Sequence, residues 1–99
     1  MSENIVISGG WSTFSCDISK ETADVFAKAL SELRGVSYTP VAVATQVVAG
    51  TNYSFFCNAK VVAPNAFNQA ALVNIYQPLN GSPHITEIRR LEPYAVKEV

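Results

Sequence analysis

The chain has 99 residues, of which 48% are hydrophobic and 15% charged, and its formal net charge is −1. That length allows one domain with one core, and the apolar share excludes a disordered tail. Nucleic acid is not expected as a partner: only Arg89 and Arg90 are adjacent among the basic residues, and phosphate binding needs Lys and Arg clustered on one face.

The Arg89-Arg90 pair reads as a solvated strand end, with a small positive patch as the alternative. No window approaches the roughly 18 apolar residues that cross a bilayer, so no membrane span is expected. MSENIVISGG has Glu3 where a signal peptide carries positive charge, and its apolar run is short. With Cys16 and Cys57 too few for a disulfide framework, the expected location is cytoplasmic. A single domain is expected over 1–99, with its core over 5–92 and residues 1–4 and 93–99 as flexible ends.

Ile5 to Ile7 suits a short strand ahead of Gly9-Gly10. Residues 19 to 34 carry the one clear helical period. Ile18, Phe26, Leu30 and Leu33 fall on one stripe, with Val25 and Ala29 at its edge. Ser19 or Asp17 can cap the start, Glu21 suits the first turn, and Arg34 and Gly35 suit the stop. The spacing predicts an amphipathic helix of about four turns.

After Gly35 the period changes to two. Val41, Val43, Thr45 and Val47 share one face of a first strand, and Pro40 marks a bulge or an edge. Ala49-Gly50-Thr51-Asn52 is a turn signal. A second strand sets Tyr53, Phe55, Cys57, Ala59 and Val61 on one face, with Phe56 as the exception. Ala63-Pro64-Asn65 breaks it. A third strand from Ala70 to Gln77 alternates Ala71, Val73 and Ile75 against Leu72, Asn74 and Tyr76. Pro78 to Pro83 turns around Asn80-Gly81, a hairpin signal, and a fourth strand runs from Ile85 to Leu91. The fold class is α+β, with one helix packed across a four- to five-stranded antiparallel meander. The inward set is Phe26, Leu30 and Leu33 against Val41, Val43, Tyr53, Phe55, Cys57, Val73 and Ile75.

The chain lacks the material for an enzyme. His84 is the only histidine, and neither cysteine stands at ligand spacing to it, so no metal site and no cofactor are expected. A Cys–His nucleophile is disfavoured because Cys57 points into the core and Cys16 sits at the helix entry. Asp17, Glu21, Asp24 and Glu32 read as solvated charge, and Gly9-Gly10 lacks the rest of a phosphate loop. No catalytic residue is assigned. What stands out is the turns. Gly9-Gly10-Trp11 is a glycine pair before a large aromatic, Gln46 to Gly50 is an apolar tip, and Leu79 to His84 is a second tip. In a meander the first and third hairpins point the same way. The two tips can then form one exposed apolar patch, the usual mark of a binding surface. The alternative is three ordinary turns with Val47 and Val48 tucked under a neighbour.

Gln46-Val47-Val48-Ala49-Gly50 matches the QxVxG motif of the cystatins, inhibitors of papain-like cysteine proteases. TQVVAGTNY, Thr45 to Tyr53, looks like the same stretch in the intracellular stefin branch. Gly9-Gly10 resembles the family's N-terminal glycine, and the helix-then-four-strands order is similar to the cystatin fold over residues 5 to 92. The resemblance implies a wedge. Gly9, Gly10 and Trp11, the first loop from Gln46 through Val47, Val48 and Ala49 to Gly50, and the second-loop residues Leu79, Asn80 and His84 would fill a cathepsin-type protease's cleft. Inhibition would be steric, reversible, competitive and tight-binding. The second loop departs from the secreted cystatins, which carry Pro-Trp there, and its Leu with a nearby His looks more like stefins. Trp11 either compensates for that lost anchor or packs in the core. The competing reading is a non-inhibitory cystatin-like module or scaffold that binds another protein through its open sheet face. A monomer is expected, with exchange of the first hairpin as the route to a domain-swapped dimer.

Overall fold

The structure, a computed structural model, describes residues 10–91. The expected strand at Ile5 to Ile7 and the candidate Gly9 lie outside the described residues. The described chain is α+β: one helix, α1 (Lys20–Ala29), then strands β1 (Val36–Val48), β2 (Gly50–Val61), β3 (Asn68–Gln77) and β4 (His84–Leu91). All neighbouring strands pair antiparallel, in the order β1-β2-β3-β4.

Ser19 rather than Asp17 caps α1, its side chain accepting from the Thr22 N–H at 3.1 Å. Glu21 in the first turn and Lys28 in the last complement the helix dipole. The apolar stripe lies on one face of the sheet. Phe26, Val43, Phe55, Cys57, Val73 and Ile75 form the buried cluster, and Ile18, Val25, Ala29, Leu30, Tyr38, Tyr53 and Ile85 pack around it. The Phe26 and Phe55 rings meet edge to face with centroids 4.8 Å apart, the arrangement their quadrupoles favour.

Several expectations are corrected. The helix ends at Ala29 rather than near Arg34. Beyond it the Ser31 N–H reaches the Lys28 carbonyl at 3.3 Å and the Leu33 N–H the Leu30 carbonyl at 3.0 Å, the tight i→i−3 turns that close helices. Leu33 falls past the last turn over the sheet and is 36% exposed. Arg34 donates to the carbonyls of Ser31 and Leu33. Gly35 belongs to the strand side, where its carbonyl accepts from the Val62 N–H at 2.9 Å.

Val41 is not inward. The β1–β2 register shifts between Pro40 and Ala42, so Val41 is the extra residue of a bulge, turned to the far face and 44% exposed. Proline cannot donate to a ladder, which places it at such a break. Val61, expected to continue the inward row, lies beyond the core's edge and is exposed. The first turn is also shorter than the Ala49 to Asn52 signal. Thr51 and Asn52 are already in the ladder, opposite Val47 and Gln46. The Asn80-Gly81 signal sits inside a longer loop that starts at Pro78, because β3 ends at Gln77 and β4 begins at His84.

Candidate functional site at the hairpin end of the sheet

β1 and β2 stay paired down to Val48↔Gly50, leaving Ala49 alone at the tip. So abrupt a reversal requires a left-handed residue, and Gly50 supplies it with φ +109. Val47 is 80% exposed, Val48 46%, and Ala49 is exposed as well. The tip is held in shape from behind: the Asn52 side-chain amide donates to the Gln46 side-chain oxygen at 2.8 Å.

On one side of this hairpin runs the segment that precedes α1. Trp11 bridges Gln46 and Ser15 bridges Val43, both antiparallel. The Ser15 and Val43 backbones exchange two hydrogen bonds of 2.9 Å, and the Ser12 N–H donates to the Thr45 carbonyl at 2.8 Å. The buried Ser12 hydroxyl also accepts from the Thr45 N–H at 3.0 Å and donates to the Thr13 carbonyl at 2.9 Å. These bonds cover the outer edge of β1 beyond the bulge. They carry the chain to Gly10, whose Cβ, if it had one, would stand 3.9 Å from the Gln46 side chain. Gly10 is exposed and has φ +82. Trp11 is half-buried beside Gln46 and is not among the residues packed on the core.

On the other side lies the second loop. A Cβ at Gly50 would meet the Gln77 carbonyl oxygen at 2.5 Å, the Tyr76 hydroxyl at 2.8 Å and the Pro78 Cα at 3.1 Å. Glycine is therefore required for close approach as well as for φ. The Tyr76 hydroxyl donates to the Ala49 carbonyl. Gln77 shapes the loop itself, its amide donating to the carbonyls of Pro78 at 3.1 Å and Gly81 at 2.9 Å. Leu79 projects at 78% exposure, Asn80 is exposed beside it, and Pro83 is buried. His84, exposed at the start of β4, packs edgewise on Tyr76 with ring centroids 5.8 Å apart.

Gly10, Trp11, Gln46, Val47, Val48, Ala49, Gly50, Leu79, Asn80 and His84 thus lie at one end of the sheet, in the spatial order entry segment, first hairpin, second loop. Residues 10–16, 45–53 and 76–84 contain no Asp, Glu, Lys or Arg, so the surface has little charge to desolvate when it is covered. Four supporting residues escaped the sequence reading: Ser12, Asn52, Tyr76 and Gln77. The polar groups of Ser12, Asn52 and Tyr76 act across strand pairings and that of Gln77 within its own loop, and the strand alternation that places Tyr76 on the open face says nothing about how far it reaches.

Cys57 is buried in the core, and burial pushes its thiol up to about 12. Among the described residues no group of three or more His, Cys, Asp or Glu could hold a metal ion, and no helix is long and apolar enough to cross a membrane. Comparison of the chain with known protein families, curated proteins and solved structures found no match.

Proposed function

We propose that this protein is a cystatin-like inhibitor of papain-like cysteine proteases, nearest in its first loop to the intracellular stefins. It acts as a reversible, competitive plug and transforms no substrate. The observation that carries the reading is the exposed Val47-Val48-Ala49 tip, flanked by Gly10-Trp11 on one side and Leu79-Asn80 on the other. An apolar ridge on a two-stranded turn loses little conformational entropy on docking. The uncharged flanks suit a cleft, and an interface of the usual ~1,600 Å² is within reach of three such segments. Gly10 keeps side-chain bulk off the chain where it would pass the catalytic cysteine, so no peptide bond of the inhibitor need sit in position for cleavage. The test is calorimetric titration of papain, open and with its cleft filled by an irreversible peptide inhibitor. One-to-one binding to the open enzyme alone is expected; equal binding to both forms would place the contact elsewhere.

One observation favours the second reading, a cystatin-like module that binds another partner. On the open sheet face, at the end opposite the tips, Val41, Phe56, Phe67, Ala70 and Leu91 line a groove of about 820 Å³. Papain left fully active at high micromolar protein would favour that face.

A further inference from the structure

We infer that Tyr76 is a positioning residue that couples the two loops, its hydroxyl holding the Ala49 carbonyl so that the first hairpin presents Val47 and Val48 in a fixed attitude. The proposal rests on the inhibitory reading for its consequence in binding, but not for the coupling itself.

The pairing of β2 with β3 ends at Thr51↔Gln77. Val48, Ala49 and Gly50 project beyond that row, so the ladder to β3 does not hold them. A two-stranded ribbon without a third strand is marginally ordered. The Tyr76 side chain reaches past the last row from the open face, where its backbone pairs with Asn52. Its hydroxyl meets the carbonyl of the tip residue. Two features keep the ring in place. His84 packs against it from β4, and Gly50 leaves room that any Cβ would fill, 2.8 Å from the hydroxyl. The carbonyl of Ala49 sits at a one-residue turn where no ladder partner exists, so Tyr76 supplies the bond that strand geometry denies it.

Tyr76→Phe removes the hydroxyl and keeps the ring against His84. Hydrogen exchange on the free protein should show the amides of residues 48 to 51 exchanging about two- to twelve-fold faster, the range for one hydrogen bond. The core amides of Phe55 and Val73, which open by global unfolding, should accelerate by no more than the same factor, and the urea midpoint should fall only by what one hydrogen bond contributes. Dissociation from papain should accelerate by a similar factor with association unchanged, a split that a general loss of stability would not produce. Tip exchange equal to that of the parent protein would overturn the coupling. Faster tip exchange with unchanged dissociation would overturn its role in presentation. A parent protein that leaves papain active would remove the inhibitory reading, and the exchange comparison would still decide the coupling.

Discussion

Asn52 donates its side-chain amide to the Gln46 side-chain oxygen at 2.8 Å, directly across the β1–β2 ladder and just behind the exposed tip. The two residues face the open side of the sheet, where neither is needed for the core. Their bond fixes the last rows of the hairpin from which Val47 and Val48 project. Asn52→Ala should lower stability by about 0.5–1.5 kcal/mol, read from urea unfolding, and should weaken protease inhibition several-fold by loosening the tip.

Gly50 should tolerate no side chain. Its φ of +109 is strained for any L-residue, and an added Cβ would stand 2.5 Å from the Gln77 carbonyl oxygen. Gly50→Ala should cost on the order of 3 kcal/mol. Chemical denaturation measures it, and a cost below about 0.5 kcal/mol, the scale of an ordinary surface change, would contradict the close packing of the two loops.

Val48 should matter for binding and hardly at all for folding. It is 46% exposed at the tip, where surface substitutions shift stability by roughly 0.5 kcal/mol or less. Val48→Asp should leave the thermal midpoint within a few degrees of the parent. It should weaken protease inhibition by about a hundred-fold or more, because a carboxylate would be buried without a partner.

The cysteines should separate cleanly. Cys16 is exposed and Cys57 is buried, so an aromatic disulfide reagent should label one thiol in the native protein and two in denaturant. Cys57 also gives stability an alkaline limit. Below the ordinary thiol value of 9.0 both folded and unfolded chains hold the proton, and stability is fully present. As pH rises the unfolded chain loses it first, and stability falls until the folded thiol titrates near about 12. Tyr53 acts in the same direction from 10.0 upward, its hydroxyl raised by burial and then by Glu21. Urea midpoints should be flat up to about pH 8.5 and fall above it, less steeply in Cys57→Val.

The sequence made the architecture legible wherever one period ran uninterrupted. Phe55, Cys57, Val73 and Ile75 alternate cleanly, and all four are buried. The period misled where the backbone broke it. One extra residue after Pro40 turned Val41 outward. Leu33 kept the helical spacing but had no sheet beneath it, and burial rather than spacing decides where a helix stops. The exposed tip could be suspected because Val47 and Val48 run straight into glycine. Its bracing could not, since Tyr76 and Ala49 lie 27 residues apart and meet only through the register of three strands.

If the Val47-Val48 tip occupies the cleft of a papain-like protease, steady-state hydrolysis of a peptide substrate by papain will report it. With increasing protein, hydrolysis should be suppressed competitively at nanomolar concentrations, and Val48→Asp of unchanged thermal midpoint should lose that suppression. Undiminished hydrolysis at high micromolar protein, or equal inhibition by Val48→Asp, would rule out that seat for the tip.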